Sequence, residues 1–197
     1  MQALSTGYSQ QERKAIHEKS RKNLLWLGIF SIIMVFGGFT SYYVVSMGKR
    51  GWISIELPQA FWISSAIILV SSLTMNFGQS AVKKGNNRVA SWWILATLVL
   101  GISFAAFQYS GWMTMIDNGL FFAGPTFSAS IGMVYVVSFV HLVHLVFGLG
   151  ALGVTFTKAR MGRYSPDNFL GVQLCSIYWH FLDGLWIYLF LFLTFFK

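Results

Sequence analysis

Five uninterrupted apolar runs dominate this chain, at about residues 24–45, 58–77, 89–112, 131–156 and 171–196. Each approaches or exceeds the ~20 residues that an α-helix, rising 1.5 Å per residue, needs to cross ~30 Å of hydrocarbon. Lipid offers the backbone no hydrogen-bond partners, so only helices and closed barrels span it. The runs lack the two-residue alternation of barrel strands, which selects helices. The expected fold is therefore all-α: one membrane bundle of five helices over residues 24–197, preceded by a polar segment, 1–23. With 55% hydrophobic and only 10% charged residues, a chain of 197 residues cannot hide its apolar surface in a soluble core.

The charges follow a topological pattern. Arg13, Lys14, Lys19, Arg21 and Lys22 precede the first run. Lys83, Lys84 and Arg88 lie in the second connection, and Lys158, Arg160 and Arg163 in the fourth. The opposite side has only Lys49, Arg50 and Lys197. The positive-inside rule then places the N-terminus in the cytoplasm and the C-terminus outside. Trp26, Trp52, Trp62, Trp92, Trp93 and Trp112 fall near span ends, as interfacial anchors do. This distribution accounts for the net charge of +8 without nucleic acid, which would require a basic stripe in an aqueous groove. Residues 1–23 contain no apolar core of a signal peptide, so insertion is expected to rest on the first span. Gln10–Asn23 suggests a short surface helix. The lone Cys175 reads as a small hydrophobe.

Gly148-Leu149-Gly150-Ala151-Leu152-Gly153 fits the G-x-G-x-x-G pattern but lies inside the fourth run, without the strand that a dinucleotide site requires. Small residues in membrane helices instead let a neighbour approach closely. Gly37, Gly38 and Gly101 receive the same reading. The run Trp186–Phe192 is apolar around its whole circumference, which suits lipid and packing, or alternatively a protein partner.

Polar groups at membrane depth are costly and are retained for a partner or a role. The set here is His141 and His144 in the fourth run, His180 and Asp183 in the fifth, and Gln108 with Tyr109 toward the outer end of the third. Three-residue spacing puts His141 and His144 on one helix face, and likewise His180 and Asp183. His144 lies about 20 Å along the axis from the outer start of its helix, and Asp183 about 18 Å from the inner start of its own. The two therefore reach a similar layer, and they are expected to face each other directly or through one water. Three roles compete. Metal or haem ligation lacks a cysteine cluster or a second carboxylate. A proton or ion path is the usual meaning of intramembrane His and Asp. Hydrogen bonding across the fourth and fifth helices is the favoured reading, with one His–Asp contact offsetting much of the desolvation of Asp183.

At these residues the chain resembles cytochrome c oxidase subunit III, the accessory membrane subunit of haem–copper terminal oxidases. Tyr178-Trp179-His180-Phe181, with Asp183 and Trp186, is similar to that family's Tyr-Trp-His-Phe-x-Asp-x-x-Trp run. Phe139 to His144 resembles its Phe-His-x-x-His segment, and Gln108-Tyr109 its Gln-x-x-Glu-Tyr ending with the acid altered. Leu57-Pro58 and Ser71-Ser72-Leu73-Thr74 resemble the start and end of another family helix. Full-length members have seven helices, whereas this chain resembles the short bacterial form lacking the first two. The family's buried glutamate has no counterpart around Ser31–Met34, where Ile32 takes its place.

The resemblance implies a non-redox subunit in a bacterial plasma membrane. It would pack beside the catalytic subunit I and other respiratory-complex subunits, stabilise subunit I and support proton uptake. Haems and copper would reside in partner subunits, with none bound here, and phospholipid is a candidate ligand. Structural, proton-support or lipid-contact roles would fall to His141, His144, His180, Asp183, Trp179, Trp186, Gln108 and Tyr109. The rival is an autonomous transporter or channel lined by the His/Asp set. It lacks an inverted repeat or a pair of broken helices.

Overall fold

The computed structural model describes residues 10–48, 51–123, 128–166 and 168–196. Five α-helices run in chain order: α1 (Gln10–Ser46), α2 (Gln59–Lys83), α3 (Asn87–Asp117), α4 (Ala129–Arg160) and α5 (Leu170–Phe195). All five are long and apolar enough to cross a membrane. No strand is present among the described residues; a single bridge joins Ser165 and Asn168. Lys49, Arg50 and Lys197, all in the charge pattern above, lie outside the described residues.

α1 to α4 outlast their apolar runs because helix ends are set by backbone chemistry as well as hydropathy. α2, α3 and α4 each stop at a glycine with positive φ: Gly85 (75°), Gly119 (76°) and Gly162 (67°). Each is followed by the same paired bonds. Gly85 and Asn86 N–H donate to the Val82 and Ala81 carbonyls; Gly119 and Leu120 donate to Ile116 and Met115; Gly162 and Arg163 donate to Ala159 and Lys158. This is the Schellman closure, and the left-handed residue in it is free of steric penalty only as glycine.

The α2–α3 turn is so short that the two helices must lie side by side and antiparallel. Gly78 lets α3 close in, since a Cβ there would sit 3.2 Å from Ile94 Cγ1. Thr74 and Thr97 share a 2.8 Å hydrogen bond across the same contact. α3 continues onto α4, α4 onto α5, and α5 closes the ring by packing on α2. α1 stands outside this four-helix ring, touching α4 and α5. It buries only a narrow strip that includes Ile29, Phe36, Thr40 and Tyr43, and the Tyr43 hydroxyl donates to the Phe196 carbonyl (3.0 Å). α1 is also continuous from Gln10, where the sequence suggests a separate surface helix. At 37 residues it is about 55 Å long, so its polar N-terminal part projects roughly 20 Å beyond the apolar run.

The glycine expectation divides. A Cβ on Gly101 would lie 2.6 Å from Trp179 Cη2 and 2.8 Å from Leu149 Cδ2, and one on Gly148 3.3 Å from Trp179 Cζ3. These two glycines form the slot for the Trp179 ring. A Cβ on Gly37, Gly38, Gly150 or Gly153 would meet nothing within 4 Å, so among the described residues they mediate no close approach.

Candidate functional site: an intramembrane polar seam

α5 sends its motif side chains into the ring at three- and four-residue intervals, and α2 answers with hydroxyls. Trp179 Nε1–H donates to Ser71 Oγ (3.0 Å) and Trp186 Nε1–H to Ser65 Oγ (3.0 Å). Ser176 Oγ–H donates to Gln79 Oε1 (3.2 Å). His180 reaches α2 twice, with Nδ1 2.7 Å from Ser72 Oγ and Nε2 3.1 Å from Asn76 Oδ1. An amide oxygen only accepts, so Nε2 carries the imidazole proton and the Ser72 hydroxyl donates to Nδ1. Both indoles are buried, at 0% and 1% exposure, so their N–H groups need these partners. Removing one such bond, as in Trp186→Phe, is expected to destabilise the bundle by about 1 kcal/mol. Denaturant titration in mild detergent would read this shift.

The hydrogen bonds anticipated between α4 and α5 are therefore made mainly between α2 and α5. Across α4–α5 the Tyr178 Oη–H donates to the His144 carbonyl (3.2 Å). His144 Nδ1–H donates to the Val140 carbonyl of its own helix (2.7 Å), and the ring packs 5.9 Å from Phe36. The expected direct contact of His144 with Asp183 is not formed. Asp183 is 4% exposed, and neither carboxylate oxygen has a hydrogen-bond partner among the described residues. The Ser72 hydroxyl lies beside Asp183 and directs its proton to His180 Nδ1 (2.7 Å).

His141 is more isolated still. It is 1% exposed, neither ring nitrogen has a partner among the described residues, and it is walled by Phe36, Phe104 and Trp186, whose ring centroids lie 6.5, 5.9 and 5.2 Å away. Gln108, also buried, donates from Nε2 to Ser64 Oγ (3.0 Å), while Oε1 has no partner among the described residues. Tyr109 is exposed. Among the described residues no three His, Cys, Asp or Glu gather into a metal-binding group.

A buried polar atom without a partner is destabilising, whereas an apolar replacement of similar shape is not. His141→Leu is accordingly expected to hold or raise the stability of the bundle by up to ~2 kcal/mol. A clear loss on thermal melting would mean that the imidazole has a partner beyond this chain's side chains.

Ser71 and Ser72 stand out in the sequence only through the family resemblance, and Ser64, Ser65, Asn76 and Gln79 do not stand out in it at all. Their signal was present as heptad-spaced pairs, Ser64 with Ser71 and Ser65 with Ser72, extended by Asn76 and Gln79. A polar stripe of that period marks one helix face.

A family model described as cytochrome c oxidase subunit III matches residues 25–197. The cytochrome c oxidase subunit 3 of Synechocystis sp. is 27% identical over 95% of this chain and 82% of its own length. That of Thermostichus vulcanus is 29% identical over 88% of this chain and 87% of its own. The cytochrome bo(3) ubiquinol oxidase subunit 3 of Pseudomonas aeruginosa is 27% identical, covering 84% and 79%.

Proposed function

Because the chain belongs to the cytochrome c oxidase subunit III family, we propose that it works beside the catalytic subunit of a haem–copper terminal oxidase, stabilising that subunit and supporting proton uptake during oxygen reduction. It is an accessory oxidase subunit. The redox groups belong to partner chains in this reading, the membrane is the bacterial plasma membrane, and α1 enters it from the cytoplasm. The observation that carries the reading is the family match over residues 25–197, nearly the whole five-helix bundle.

The polar seam supports a division of labour. Trp179, Trp186, His180 and Ser176 are tied to α2 and hold the ring of helices together. Among the described residues Asp183 has no partner within hydrogen-bonding distance, only the neighbouring Ser72 hydroxyl, which is engaged with His180. A buried carboxyl with no donor is poorly suited to structural support and suited to proton handling. Asp183→Asn is therefore expected to leave assembly and haem spectra of the complex unchanged and to slow proton uptake. Disassembly of the complex would return Asp183 to the structural role. Phospholipid has a place in the groove of about 500 Å³ between α1, α4 and α5, lined by Leu25, Val154, Lys158, Cys175 and Tyr178. Its apolar walls suit acyl chains, and Lys158 suits a phosphate.

Gentle detergent extraction tests the whole reading. The chain is expected to migrate with a haem-bearing complex whose redox spectrum belongs to other subunits. A solitary homo-oligomer with transport activity would establish the transporter instead.

A further inference from the structure

Asn76 is the exposed member of the seam. It lies on α2, seven positions before Lys83, so about 10 Å inside the basic end of the helix. α2 has 25 residues and is about 37 Å long, some 7 Å longer than the hydrocarbon layer it crosses. Asn76 is thus at hydrocarbon depth. Its neighbours on the surface, Leu69, Leu73 and Phe77, are exposed apolar side chains, so the amide forms a polar island on an otherwise lipid-compatible face. α1 does not cover it, because α1 packs on α4 and α5 and not on α2.

The amide is half used. Oδ1 accepts from His180 Nε2–H (3.1 Å), while the two Nδ2 hydrogens have no partner among the described residues. Acyl chains offer no acceptor, and polar groups at this depth are satisfied by protein or by water in a cavity. A two-fold contact with a second copy would make each Asn76 Oδ1 accept from both its own His180 and the facing amide, whereas an acceptor supplied by another chain leaves the His180 bond unshared. The complementary surface is a transmembrane helix that presents an acceptor, such as a hydroxyl or carboxamide oxygen or an open backbone carbonyl, at the level of Asn76.

We infer that the outward face of the α2–α5 seam, centred on Asn76, is the docking surface for such a helix from another subunit of the oxidase. This rests on the accessory-subunit reading above and adds which face meets the partner. An acceptor on Nδ2 would fix the amide, and through it His180 and Ser72, so the motif on α5 stands one hydrogen bond behind the interface.

The test uses the membrane-extracted complex with a photoreactive benzoyl-phenylalanine in place of Asn76. Illumination is expected to join this chain to a different oxidase subunit. Adducts only with lipid, or with a second copy of this chain, would overturn the inference while leaving the accessory role intact. Asn76→Leu supplies a second measurement. Because Asn76 is exposed, the variant is expected to keep its helical content, and its retention in the complex is expected to fall about three- to tenfold, the range for an interhelical hydrogen bond in lipid. Unchanged retention would also overturn the inference. If the unmodified chain fails to travel with a haem-bearing complex, it is the accessory-subunit reading that has failed.

Discussion

Trp179→Ala is expected to destabilise the bundle by about 3–5 kcal/mol, the range for emptying a large buried aromatic site. The ring is 0% exposed and is held from three sides. Its Nε1–H bonds Ser71 on α2, its six-membered ring lies against Gly101 on α3, and its opposite edge lies near Gly148 on α4. In lipid, helix association draws on close packing and hydrogen bonds rather than on a hydrophobic difference between helix and solvent. Losing a side chain that supplies both to three helices at once removes a large share of what joins α5 to the ring. The Ser71 hydroxyl also loses its indole donor. Reversible denaturation in mild detergent would measure the effect, and a loss under 1 kcal/mol would show that the ring closes without this side chain.

Gly101→Leu fails from the opposite side. Even its Cβ would meet Trp179 at 2.6 Å and Leu149 at 2.8 Å, closer than carbon atoms pack, and the rest of the side chain has nowhere to go. Overpacking of this kind costs about 1–3 kcal/mol in well-filled cores, and here it would push α3 away from both α4 and α5. The two substitutions should couple. Combined with Trp179→Ala, the new leucine would occupy space the indole has left, so the double variant is expected to recover at least ~1 kcal/mol relative to the sum of the singles. Additive losses in the double-variant cycle would place the leucine outside the vacated slot. Retention of the chain in the extracted oxidase complex would follow the same order if the ring of α2 to α5 is the unit that docks.

Much of the site was legible residue by residue. The polar set in α3, α4 and α5 could be picked out because isolated His, Asp and Gln in apolar runs are conspicuous. Their partners could not. His180 pairs with Ser72 and Asn76 rather than with α4, and serines are common enough in membrane helices to pass unnoticed. His141 and His144, three residues apart on one helix, reached different ends: one enclosed by rings, the other bonded to its own backbone. Helical spacing predicted that they share a side and was silent on what that side would meet.

The amino-acid sequence by itself determined that this chain makes five membrane helices, because transfer into hydrocarbon depends on local composition and length. It also carried the glycine stops of α2, α3 and α4 and the motif of α5, which are local as well. Tertiary structure alone decided that α1 stands outside a ring of four, that Gly101 and Gly148 grip Trp179 while Gly150 and Gly153 grip nothing, and that the polar seam runs along α2 and α5. The reason is that a membrane helix is apolar on every side. No hydrophobic stripe announces which face turns inward, so the choice falls to side-chain fit and hydrogen bonds between segments far apart in the chain.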